Sequence, residues 1–172
     1  MRGFTLIELL LVIVIAGILM MVAGPAMYDM ILANRLTGQT NDLMADLAYA
    51  RSQATSLGVR TTVCISTSGT ACAGGDWTGG RIVFADTDAS GSLDAGETLL
   101  RVTGAFSGTT TIAVAGLTTP TLVQFRPTGI AAGLSGASAT FKLCDTRVGA
   151  DVGRTVTVAL TGRTSSSKTA CP

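Results

Sequence analysis

A chain of 172 residues has room for one globular domain, and an apolar fraction of 47% against 13% charged residues points to a further segment that an ordinary water-facing surface does not account for. A net charge of +1 gives no chain-wide basic field for nucleic acid, and the absence of histidine excludes Ser-His and Cys-His nucleophile pairs and removes the commonest transition-metal ligand. The only lysines, Lys142 and Lys168, have no serine partner pattern, so a hydrolase is the weakest reading and no catalytic residue is assigned.

The first element is apolar. Phe4 to Ala23 is a run of twenty residues, about the ~20 that a helix needs to cross a hydrocarbon core of ~30 Å. Gly24 and Pro25 follow it, where a cleavable secretory signal would have a shorter core and a small-residue cleavage site. Arg2 lies before the run, which places the N-terminus in the cytoplasm and the rest across the membrane. Glu8 stands out. A carboxylate in a spanning helix costs a few kcal/mol, so it is a functional candidate, and no cation lies within a helical turn on its apolar side. Two readings of Glu8 are open from the residues alone: a partner on another chain or at a free N-terminal ammonium, or contact with lipid headgroups and water.

Beyond Pro25 a helical pattern resumes. Leu36, Thr40, Leu43, Leu47, Ala50, Ala54 and Leu57 recur at steps of three and four, with Arg35, Asp42 and Asp46 off that face and Arg51 at its edge. Gly58 supplies the stop. The period then changes to two: Val59, Thr61, Val63 and Ile65 alternate with Arg60, Thr62, Cys64 and Ser66. Further β-rich runs lie at Arg81–Ala85, Thr98–Val102, Thr109–Val114, Thr121–Arg126, Ala139–Cys144 and Arg154–Leu160, separated by Gly, Ser, Thr and Asp clusters. The fold class is α+β, a long N-terminal transmembrane and amphipathic helix packed on a two-sheet antiparallel β domain. The parts are residues 1–3, a spanning helix over 4–24, an amphipathic helix over 25–58 and a β domain over 59–172.

Four cysteines, Cys64, Cys72, Cys144 and Cys171, fall on the far side of the membrane, where an even count favours disulfides. Three pairings are open, and the one that joins sequence neighbours, Cys64 with Cys72 and Cys144 with Cys171, is preferred. A zinc site is the competing reading, but there is no C-x-x-C pair.

Two segments carry further chemistry. In "DTDASGSLDAGE" the residues Asp86, Asp88, Ser90, Asp94 and Glu97 fall at positions one, three, five, nine and twelve of a calcium loop, with Gly91 at six. The flanks read as strands rather than helices, so Ca2+ binding and a solvated hairpin connection both stand as readings, and no cofactor is required. From Thr98 onward seven Lys or Arg face two Asp. Of these Arg154, Arg163 and Lys168 are the candidates for phosphate contacts with double-stranded DNA, against the alternative of a scattered basic surface.

The motifs resemble a known family. "GFTLIE", Gly3 to Glu8, followed by an apolar run and Pro25, is similar to the processing signal of type IV pilins and pseudopilins. That resemblance implies cleavage by a prepilin peptidase between Gly3 and Phe4, N-methylation of Phe4, and pairing of Glu8 with the terminal amine of a neighbouring subunit. "NRLTGQTNDLMADLAYARSQATSLGVRTTVC", Trp77 before "GGRIVFADTDASGSLDAGETLLR", and then "FRPTG", "FKLCD" and "TGR" resemble the GspH/FimT family of minor pilins and pseudopilins. The resemblance implies a structural subunit that primes or caps a type IV pilus or type II secretion pseudopilus. Its partners would be other minor and major pilins or pseudopilins, the peptidase and the inner membrane, with the β domain periplasmic. A FimT-like DNA receptor for natural transformation is the alternative. The DNA-binding members carry a Gly-Arg-x-Arg tail motif, where this chain has Gly162-Arg163-Thr164-Ser165 and lacks the second arginine.

Overall fold

In the computed structural model residues 3–172 are described, the side chains of Val22, Pro25 and Ala26 apart. The chain divides into two units, residues up to Arg35 and Leu36–Pro172. One long helix, α1 (Leu6–Leu57), contributes to both, as the fold class expects, and starts two residues later than Phe4.

The first unit is helix with no core of its own. Every described side chain from Gly3 to Met21 is exposed, including Phe4, Leu6, Ile7 and the aliphatic residues that follow. The described apolar stretch of α1, Leu6 to Met21, rises ~24 Å at 1.5 Å per residue. No helix is long and apolar enough, among the described residues, to cross a membrane.

The second unit begins with the rest of α1. Leu36, Thr40, Leu43, Leu47, Ala50 and Ala54 are all buried, the face that the three-and-four spacing marked. Each fully buried leucine contributes roughly 2 kcal/mol, and the two alanines let the helix approach the sheets closely. Leu57 departs from the stripe: it is 49% exposed in the last turn, where Gly58 (φ 69°) ends the helix in a left-handed conformation.

Nine strands follow: β1 (Arg60–Ile65), β2 (Arg81–Asp86), β3 (Thr98–Thr103), β4 (Thr111–Ala115), β5 (Leu122–Phe125), β6 (Ala131–Ala132), β7 (Ser138–Cys144), β8 (Gly149–Ala159) and β9 (Thr164–Cys171). They form two antiparallel sheets, ordered β3-β2-β1-β5-β6 and β4-β7-β8-β9. The helix and both sheets share one core: Leu36, Leu43, Leu47, Ala50 and Ala54 with Val63, Val83, Val123 and Phe125 from the first sheet and Phe141, Leu143, Val156 and Val158 from the second. Trp77 sits in it at 2% exposure. Its ring meets Phe141 edge-on at 4.9 Å, and its Nε1–H donates to the Pro120 carbonyl at 2.8 Å, so the buried indole keeps a polar partner.

β1 is buried on both faces, although its alternation suggested one solvated side. Cys64, Ile82 and Phe84 form a second cluster on the outer face, covered by Cys72 and Leu93 from the connections and by Leu122 at the start of β5. Asp46 also departs from expectation. It is buried, because Arg81 Nε meets its Oδ2 at 2.6 Å, Arg101 Nη1 its Oδ1 at 3.0 Å, and Thr103 Oγ1 donates to it at 2.9 Å. Arg81 is fully buried over the Phe106 ring. Burial pulls its pKa down and Asp46 beside it opposes the shift. The two strands not anticipated are β6 and β9, and β8 begins five residues before the expected Arg154.

Candidate functional site

The N-terminal end has a definite local geometry. Thr5 Oγ1 accepts from the Glu8 backbone N–H at 3.4 Å, while a Glu8 carboxylate oxygen accepts from the Thr5 N–H at 3.5 Å. This is a capping box, with Thr5 before the first turn and Glu8 reaching back to it. The arrangement gives Glu8 an intrachain role at the helix start. Both bonds are long and exposed, so the carboxylate remains open to a stronger, cationic partner. Gly3 and Phe4 precede the helix, and Phe4 is 80% exposed.

The acidic loop sits between two paired strands. Asp86 ends β2, Thr98 opens β3, and Ala85 pairs with Thr98, so sheet pairing brings Asp86 and Glu97 together at the hairpin mouth. One carboxylate oxygen each from Asp86, Asp88 and Glu97 lie within 4.8 Å of one another. Asp86 is buried, and its Oδ2 accepts from Thr62 Oγ1 (2.5 Å), Gln124 Nε2 (2.9 Å) and the Gly91 N–H (3.1 Å). The other oxygen, Oδ1, is buried without a hydrogen bond. Glu97 is held by the backbone N–H groups of Thr87 and Asp94. The Ser90 backbone N–H, and then its side chain, hold the Asp88 carboxyl below its ordinary pKa. Ser90 and Asp94 are placed differently from the three clustered carboxylates: Ser90 Oγ bonds to Asp94 Oδ2 at 2.9 Å and to the Ser92 carbonyl at 3.2 Å.

The cysteines form two disulfides, Cys64–Cys72 and Cys144–Cys171, which are the neighbouring pairs, and no free thiol for a zinc site is left. The second ties the last residues of β9 to β7.

The basic candidates are only partly assembled. Arg154 on β8 lies directly opposite Lys168 on β9, so the two share a face of the sheet. Arg163 is exposed in the β8–β9 turn, five residues from Lys168, ~17 Å along an extended strand. The three do not form one patch. Neighbouring Gly162 serves packing: a side chain there would come within 2.0 Å of the Gly129 carbonyl, which accepts from Arg51 Nε at 3.0 Å. The "ARSQA", "FRPTG" and "TGR" blocks thus meet at one joint between the helix and the sheets.

Comparison with known proteins places this architecture. The family model described as Type II transport protein GspH matches residues 39–162, more than two thirds of the chain. The chain belongs to the GspH family. A second model, the prokaryotic N-terminal methylation motif, matches residues 1–24. No curated protein sequence matches. Among solved structures the fold is similar to the type IV minor pilin FimU of Pseudomonas aeruginosa in two crystal forms. The first has 24% identity and a TM-score of 0.59 over 81% of this chain and 90% of FimU. The second has 23% identity and a TM-score of 0.58 over 77% and 92%. The long helix on a two-sheet antiparallel domain is therefore a fold that this chain shares with that minor pilin.

Proposed function

We propose that this GspH-family chain is cut between Gly3 and Phe4, N-methylated at Phe4, and incorporated through its apolar helix into a type IV pilus or a type II secretion pseudopilus, where it primes or caps assembly. The observation that carries the proposal is the helix surface from Phe4 to Met21, which is apolar on all sides and exposed along its whole described length, with Glu8 as its sole charge. A helix that is hydrophobic all round is stable only inside lipid or among other such helices. A subunit that is first stored in the inner membrane and then transferred to a helical filament core satisfies that demand in both states. The β domain, with its own core and two disulfides, belongs on the periplasmic side of that membrane.

In the filament Glu8 would meet the Phe4 ammonium of a neighbouring subunit. Each charge is costly in an apolar surrounding, and pairing offsets both. The likeness to FimU supports a pilus in preference to a secretion pseudopilus. Nothing in this role requires catalysis. The test is Glu8→Val in a strain that assembles the corresponding filament: processing and membrane insertion stay intact, while recovery of the variant in sheared filaments falls at least about tenfold. Normal recovery would reject the pairing role.

Binding of double-stranded DNA is a second reading. It is supported by the Arg154–Lys168 pair on one face and weakened by the distance to Arg163.

A further inference from the structure

We infer that the β2–β3 connection is a Ca2+ site, with Asp86, Asp88 and Glu97 as its carboxylate ligands. Clustering of acids alone would not establish this; the buried oxygen does. Asp86 Oδ1 is out of reach of solvent and takes no hydrogen bond, while Oδ2 of the same carboxylate is satisfied three times over. An unpaired buried carboxylate oxygen is costly and needs a cation or a donor. The carboxylate that carries it is gathered with two more, one oxygen of each lying within 4.8 Å of the others. The ion pairs among the described residues employ other acids, Asp46 and Asp145, so no side-chain cation is recorded against these three. Three carboxylates gathered in this way, one of them with an unsatisfied oxygen, repel one another unless a cation sits between them.

The chemistry selects the ion. All donors are hard oxygens, which suit Ca2+ or Mg2+ over the transition metals. The loop spacing suits Ca2+. Positions one, three and twelve supply the clustered carboxylates, and the Gly91 N–H at position six anchors Asp86. Positions five, seven and nine, Ser90 Oγ, the Ser92 carbonyl and Asp94, are already within hydrogen-bond distance through Ser90, leaving further oxygens for direct or water-mediated coordination. Strand pairing brings the two ends together here, where helices usually flank such a loop. Leu93 of the same loop covers the Cys64, Ile82 and Phe84 cluster, so metal binding also fixes the outer face of the first sheet.

The test is a calorimetric titration of the full chain in detergent micelles with CaCl2 after removal of metal by EDTA, with thermal unfolding in Ca2+ and in EDTA. We expect one site with a dissociation constant of ~10⁻⁴–10⁻³ M, the class of extracellular modules, and a higher Tm in Ca2+. Asp88→Asn, an exposed substitution, should bind at least about tenfold more weakly yet melt like the parent in EDTA. Glu97→Gln should weaken binding similarly. No heat and no Tm shift at about 10 mM Ca2+, well above that range, overturns the assignment. So does unchanged affinity in both variants. Equal binding of Mg2+ would overturn the choice of ion.

Discussion

Asp46 is the residue whose replacement should expose most clearly how this domain is held together. Among the described residues its carboxylate makes the one ion pair recorded for Arg81, which is fully buried and whose two Nη atoms have no hydrogen bond. Asp46→Asn keeps the shape but leaves the guanidinium charge uncompensated, and breaking a buried pair from one side costs about 3–5 kcal/mol. The Arg101 arm adds little, because that side chain is 38% exposed and solvent screens it, so its loss contributes well under about 1 kcal/mol. For a chain of this size 1 kcal/mol shifts Tm by about 2–4 °C, so the variant should melt about 6–20 °C below the parent by circular dichroism. Asp42→Asn, at an exposed position of the same helix, removes a weaker, solvent-screened charge that also favours Arg81 and should lower Tm far less than Asp46→Asn. The double replacement Asp46→Leu with Arg81→Met should recover most of the loss, since apolar isosteres remove both desolvation costs. A drop below about 3 °C for Asp46→Asn would refute the reasoning, because it would mean that Arg81 finds its compensation elsewhere.

Removing the Cys144–Cys171 bridge with serines should cost more stability than removing Cys64–Cys72. The chain-entropy model gives about 3.6 kcal/mol for the longer loop against about 2.6 for the shorter, and equal denaturant midpoints for the two double variants would argue against it. Duplex DNA should bind weakly if at all: with Arg154 and Lys168 adjacent and Arg163 distant, two phosphate contacts give a slope of about −2 in log K against log salt, which Ser165→Arg should steepen by about one. Failure of both parent and variant to bind at low salt would reject the DNA reading.

What could be read from the residues, and what could not, follows the range of the forces involved. The α1 stripe and the Gly58 stop are local periodicity and turn chemistry, and the structure buries that stripe from Leu36 to Ala54. Asp46 was placed off the stripe because its partners Arg81 and Arg101 lie 35 and 55 residues away, and only the fold brings them beneath the helix. β9, "TSSSKTAC", carries no apolar alternation: it is a largely exposed edge strand held by β8 on one side and by Cys171 at its end, so hydrophobic pattern had nothing to mark. Two-sided burial of β1 depends on loops that cover the sheet, which alternation within the strand does not record. The acidic loop was legible as ligand spacing. Its strand flanks were legible as well, and their pairing closes the ends of the loop as helices usually do. Glu8 also closes a capping box with Thr5, three residues away, and that Thr-x-x-Glu spacing is legible in the sequence as a helix start.

The central claim, that this is a processed subunit of a filament, is tested most directly by intact-mass analysis of the chain expressed with and without a prepilin peptidase. With the peptidase, the mass should correspond to residues 4–172 with two disulfides and one added methyl group, and fragmentation should place that methyl on the amine of Phe4. Without it, residues 1–3 should remain. An unprocessed chain in the presence of an active peptidase, or a cut on the far side of the apolar run near Ala26, would contradict the account.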